Sequence, residues 1–269
     1  MHRSESHWHS TPLIRASIAL HLLALLAVMT TPAWWPWALA AVAGNHLLIA
    51  AVGLWPRSHW LGPNWTRLPA AAAARNEIAL TIDDGPDPLV TPQVLDLLDR
   101  YGARATFFCI GEKAAQYPEL CRDIVRRGHA VENHSQYHRH HFSVMGLGGI
   151  MRELQAAQRT LGGITGRQPL FFRAPAGLRN PFLEPALAQL GLQLATWSVR
   201  GFDTRVGDAR RVTTRLLRAM QPGAIMLLHD GNAARTAAGT PVILDVLPLV
   251  LEAAATARLR PVTLHEAMA

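Results

Sequence analysis

An α/β fold with a largely parallel sheet or barrel is predicted for the chain from residue 77 onward. Short apolar runs alternate there with longer stretches of helical periodicity, the pattern of repeated βα units. The residues with most chemical capacity stand just after those runs, at the C-terminal ends of the expected strands, where barrel active sites form. What precedes is different: two long apolar runs, each close to a membrane span in length, set the first 55 residues apart.

Ile78-Ala79-Leu80-Thr81-Ile82 is the first expected strand, and a helix over 92–101 takes its buried face from Val94, Leu95, Leu97 and Leu98. A strand over 105–110 leads to a helix over 117–127 that stops at Gly128, and a strand over 130–133 follows. The alternation continues with helix 151–161, extended 170–173, helix 181–190, extended 192–197 and helix 208–220. A strand over 224–228, a helix over 241–257 and a last strand over 261–264 complete it.

The run over 13–29 is nearly all Ala, Leu, Ile and Val, interrupted by Arg15 and His21, and a second run covers 37–55. Between them Thr30-Thr31-Pro32-Ala33-Trp34-Trp35-Pro36 is a chargeless turn whose paired Trp residues suit a headgroup belt, with Trp55 and Trp60 at the other end. A helical membrane hairpin within 1–55 is the expectation. A cleaved signal peptide competes with it, but a second apolar run follows the first and no small-residue cleavage site separates it from the rest. Arg3 and Arg15 precede or open the first run, Arg57, Arg67 and Arg75 follow the second, and the turn has none. The positive-inside rule then places both ends, and the catalytic domain, in the cytoplasm at a bacterial inner membrane, and a single span would reverse that. Residues 56–76 read as a linker and 77–269 as the catalytic domain.

The formal charge of +7 is carried almost wholly by Arg, since Lys113 is the sole lysine. Codon bias accounts for much of this. No basic run is interleaved with aromatics, so a nucleic-acid partner is not expected, and a bilayer surface suits the charge better. Cys109 and Cys121 have no CxxC spacing and read as buried thiols in a reducing compartment.

Metal ligation needs deprotonated donors converging from several segments, and one carboxylate with two imidazoles leaves positions for water and substrate. Asp84, His134 and His138 provide that set. The two histidines are four residues apart, which on a helical turn would point both rings to one side of an ion. Asp83 is the candidate base for a water acidified by the ion. Arg173 is expected to hold Asp83 by a planar bidentate contact. His229, straight after an apolar strand, suits a general acid, with Asp203 fixing its protonation.

The order of these segments resembles the motif set of the polysaccharide deacetylase family, carbohydrate esterase family four, whose domain is also called the NodB homology domain. Thr81 to Pro86 is similar to its TFDDGP motif, His134-Ser135-Gln136-Tyr137-His138 to H-S/T-x-x-H, and Arg173-Ala174-Pro175 to R-x-P-F/Y. Trp197 to Asp203 and Leu227-Leu228-His229-Asp230 are similar to the fourth and fifth motifs. The resemblance implies a distorted (β/α) barrel of the NodB type, here preceded by an α-helical membrane hairpin. It further implies one divalent ion on Asp-His-His, most often Zn with Co, Ni, Mn or Fe as alternatives, and hydrolysis of an N-acetyl group from an amino sugar. Asp83 is then the base, His229 the acid, and Leu227 the lining of the acetyl pocket. Two departures bear on substrate. Ala176-Gly177 follows Pro175 where the family often has an aromatic, leaving a main-chain N–H at Ala176 as oxyanion donor. The fourth motif lacks the usual Asp-Trp ending. A lipid-linked or flatter N-acylated sugar accommodates both.

Asp-His-His is also the facial triad of Fe(II) oxygenases, against which the βα alternation argues. A deformylase or O-deacetylase would use the same apparatus, whereas a non-catalytic carbohydrate-binding protein would need neither Asp83 nor His229.

Overall fold

The computed structural model describes residues 8–269, so Arg3 lies outside the described residues. Helices α1 (Pro12–Thr30) and α2 (Trp35–Gly53) form an antiparallel pair around a 3₁₀ turn at Pro32–Trp34, and both are long and apolar enough to cross a membrane. Thr11 caps α1 through its hydroxyl and Pro12 occupies the first turn, where a missing N–H is harmless. The pair is joined inside by polar contacts: Asn45 Nδ2 donates to Ser17 Oγ at 2.7 Å, and the His21 and His46 Nε2 atoms meet at 3.3 Å.

A short helix, α3 (Ala70–Ala74), leads into the α/β region. Its elements are β1 (Glu77–Asp83), α4 (Thr91–Arg100), β2 (Ala105–Cys109), α5 (Gly111–Gln116), α6 (Pro118–Arg126), β3 (Ala130–Asn133), α7 (Leu147–Thr165) and β4 (Phe171–Phe172). Then come α8 (Leu183–Leu190), β5 (Gln193–Leu194), β6 (Val199–Arg200), α9 (Ala209–Leu217), β7 (Ile225–His229), α10 (Val242–Thr256) and β8 (Arg260–Val262). The strands are parallel throughout, in the order β5-β4-β3-β2-β1-β7-β6, and β8 pairs with the first residues of β1. This is the curled half-barrel expected.

The two-residue period of a strand sorts its side chains. On β1, Ile78, Leu80 and Ile82 join the core under the outer helices, while Ala79 joins a second core inside the curl with Phe108, Phe171 and Ile225. The same parity carries Thr81 and Asp83 inward on β1, Leu227 and His229 inward on β7, and the residue after Phe172, Arg173, inward beyond β4. Four chemically capable residues therefore meet at one end because each stands an even number of positions from an inward core residue.

Several expectations change in detail. The extended segment over 192–197 breaks after Leu194: Trp65 N donates to Leu194 O and Thr196 N donates to Trp65 O, so the region read as a linker joins the edge of the sheet there. Leu68 and Ala72 are buried in the inner core, which a detached tether would not do. Helix α5 and strand β6 were not anticipated, being too short for a periodic signal. Helix α7 runs longer at both ends than expected.

Candidate functional site

The sharp exit from β1 sets the first carboxylates. Asp84 has φ 72°, a left-handed backbone that Asp tolerates better than most residues, and Lys113 Nζ donates to its carbonyl at 2.7 Å. Gly231 allows close approach here, since a Cβ on it would come within 2.1 Å of Asp84 O. Asp83, still on the strand, continues inward while Asp84 turns across the mouth.

His134 and His138 do not lie on a helical turn. They sit on an irregular loop after β3, with positive φ at Ser135 (65°) and His138 (48°). Local side-chain bonds replace the helix: Asn133 Oδ1 accepts from Ser135 N at 2.9 Å and Ser135 Oγ accepts from His138 N at 3.0 Å. These short polar residues compete with helical bonding and curl the loop back, so the two rings still converge, 4.8 Å apart.

Each Nε2 lies 3.2 Å from Asp84 Oδ1. Oδ1 is buried and has no hydrogen-bond donor among the described residues, while Oδ2 accepts from Asn232 Nδ2 at 3.2 Å. His134 Nδ1 meets Arg173 O at 2.8 Å, and because a carbonyl only accepts, that nitrogen carries the proton and Nε2 presents its lone pair inward. Burial lowers His138 to about 4 against the pull of Asp84 and Asp83, which keeps its ring neutral. Burial opposes ionisation of Asp84, but its contact with His134 and the charge of His229 outweigh this and hold its carboxyl well below the usual range. A buried, ionised oxygen without a donor, beside two neutral imidazole nitrogens and with all three ligand atoms within 4.8 Å of one another, fits a divalent ion.

Arg173 is fully buried and meets Asp83 through one nitrogen, Nη1 to Oδ1 at 2.7 Å. The expected bidentate fork is not formed, because backbone carbonyls take the rest: Nη2 donates to Thr196 O at 2.6 Å and Nε to Ala195 O at 3.1 Å. Nη1 also reaches Thr81 Oγ1 at 2.8 Å, and the guanidinium lies 4.1 Å from the centre of the Phe108 ring. Asp203 Oδ1 meets His229 Nδ1 at 2.9 Å while its Oδ2 accepts from His229 N at 2.8 Å. Burial works against charging His229, yet the hydrogen bond and charge of Asp203, with Asp83 and Asp84 beyond, prevail and raise it to about 9.

Asp83, Asp84, His134, His138 and His229 open on one cavity of about 290 Å³, whose walls also include Ala176, Leu227, Trp197 and Arg200. Ala176 has φ 55° and exposes its small side chain, while Pro175 is buried beneath it. The sequence reasoning missed Thr81, Asn133, Lys113 and Asn232. Asn133 alone carried a signal, standing directly before His134 at a strand end. Asp230 was quoted only within a motif: it is buried against Gly85 and Thr91, and burial, opposed by the Thr91 hydrogen bond, pushes it up to about 6.

The family model described as polysaccharide deacetylase matches residues 70–195. A chitooligosaccharide deacetylase of a Bradyrhizobium species is 38% identical over 155 residues, which cover 57% of this chain and 70% of that protein. The chain belongs to the polysaccharide deacetylase family. Another relative of this deacetylase-family chain, a peptidoglycan-N-acetylglucosamine deacetylase of Bacillus cereus, is 33% identical over 59% of this chain and 75% of its own length. Among solved structures, the family 4 carbohydrate esterase from Streptomyces lividans superposes with a TM-score of 0.62 at 31% identity, covering 69% of this chain and 91% of that one. The Bc1960 peptidoglycan N-acetylglucosamine deacetylase gives 0.68 at 27% identity, covering 76% and 91%.

Proposed function

We propose that the chain is a metal-dependent hydrolase that removes an N-acetyl group from an amino sugar. The observation that carries this is the arrangement of an anchored carboxylate and an anchored imidazole, Asp83 and His229, around one Asp-His-His ligand set. Asp84, His134 and His138 would hold the ion, which when bound supplies Lewis-acid polarisation and lowers the pKa of water. Asp83, anchored by Arg173, takes a proton from the attacking water. His229, kept protonated by Asp203, gives a proton to the departing nitrogen. Leu227 covers the acetyl methyl, and the Ala176 N–H serves the developing oxyanion. The products are acetate and a free amine. The test is acetate release from N-acetylated chitooligosaccharides by detergent-purified protein before and after chelation. Chelator-sensitive release that returns with Zn supports the reading, and release indifferent to chelation contradicts it.

The finer reading is a lipid-linked amino sugar handled at the membrane surface. Its support is how the end of α2 meets the site: Arg179 N donates to Gly53 O at 3.1 Å, Arg179 Nη2 donates to Ser58 O, and a Cβ on Gly177 would come within 2.9 Å of Pro56. The hairpin then sits in the bilayer with the catalytic domain against its cytoplasmic face, Zn being the expected ion. An enzymatic reporter fused after Ala269 reads the orientation: cytoplasmic activity agrees with it, and activity on the far side reverses it.

A further inference from the structure

Arg200 gives the cavity a chemistry that hydrolysis alone does not use. It ends β6 directly beside Leu227 of β7, next to the residue assigned to the acetyl methyl. Its guanidinium is held by aromatic faces, 4.3 Å from the centre of the Phe202 ring and 5.3 Å from that of Trp197. Its Nε is buried and has no hydrogen-bond partner among the described residues. The nearby carboxylates are engaged elsewhere, Asp83 with Arg173 and Asp203 with His229. Arg205 lines the same cavity from an exposed position.

A guanidinium fixed by stacking, with its polar edge uncommitted, is oriented in advance for a planar or tetrahedral anion. Leaving the buried Nε unpaired is unfavourable, and a neutral sugar offers only hydroxyls to the charged edge that faces the cavity. We propose that Arg200, supported by Arg205, forms an anion subsite beside the acyl pocket, so that the substrate is an N-acylated amino sugar carrying a phosphate. This rests on the deacetylase reading and narrows its substrate class. The phosphate belongs either to a free sugar phosphate or to a lipid-linked one.

The experiment compares three probes with the full chain in detergent and added Zn: the methyl glycoside of N-acetylglucosamine, N-acetylglucosamine 1-phosphate, and the dodecyl phosphodiester of the same sugar. The phosphate probes are expected to show kcat/KM at least about 10-fold above the methyl glycoside, chiefly through KM, as a charge-assisted contact supplies. Arg200→Gln should collapse that preference, Arg200→Lys should retain part of it, and Arg205→Gln should reduce it about 3-fold, the share of an exposed cation. A further gain for the dodecyl diester assigns the phosphate to a lipid carrier, and equal rates for both phosphates assign it to a soluble one. Equal turnover of charged and neutral probes, or a preference that survives Arg200→Gln, overturns the subsite while leaving the deacetylase reading intact. Absence of acetate release from every probe overturns both.

Discussion

The hairpin and the head of the barrel are built inside out relative to one another. In α1 and α2 the exposed side chains are apolar, with Leu22, Leu23 and Leu25 each 63% exposed, while buried Ser17 bonds to Asn45. In the barrel head the buried side chains include Arg173 and Asp203, both fully covered, with Arg173 stacked on Phe108 of the inner core. Ser17, Arg173 and Asp203 each have a polar partner, so the difference lies in what the pairs are for. Neutral bonds between two apolar helices suit a lipid surrounding, where they add modestly to association. Buried charges in the barrel are costly to desolvate and hold Asp83 and His229 in place through Arg173 and Asp203.

If that contrast is right, the largest effects fall on the head. His134→Ala is expected to lose both ion binding and turnover, by at least about 100-fold, since even partners behind metal ligands are worth 10- to 100-fold. Elemental analysis with acetate release checks it, and retention of a full ion would break the ligand assignment. Arg173→Met leaves Asp83 buried without its cation and should lower stability by about 3–5 kcal/mol, read as a fall in Tm in detergent. A loss no greater than that of a hairpin variant would erase the contrast.

The third effect is a displaced pH limb. His229 is raised in the folded state from 6.5 to about 9, so protonation contributes stability in full below about 6.5, and that contribution is lost as pH rises through about 9. In the folded state the proton proposed for transfer from His229 is given up near 9, so turnover should decline above about pH 9. Asp203→Asn should move that alkaline limb downward by at least about one unit, and a pH–rate profile with an unmoved limb would remove Asp203 from its positioning role. Smallest of all, Asn45→Ala should change thermal stability by about 0.6–1.7 kcal/mol, the range of hydrogen bonds between membrane helices. A loss as large as that of Arg173→Met would mean that the hairpin is organised like the head.

Much of this arrangement was legible in the chain because strand periodicity fixes direction. Once Ile78, Leu80 and Ile82 are read as the outward face, Asp83 must point inward, and the same parity governs His229. The loop after β3 was less legible, because Asn133 and Ser135 form bonds specific to one curled backbone and a four-residue spacing looks the same on a helix. The single-point contact of Arg173 depends on where the Ala195 and Thr196 carbonyls end up, which β5 and Trp65 decide from far along the chain. For the same reason the linker reading was incomplete: nothing local marks Trp65 as a neighbour of Leu194.

If metal holding and proton transfer are divided between the adjacent aspartates as proposed, Asp83→Asn separates the two most directly. Purified variant and wild type should each carry one divalent ion per chain, while acetate release by the variant falls by at least about 100-fold, as loss of a general base requires. A variant that keeps its ion and hydrolyses the amide at the wild-type rate would contradict the account.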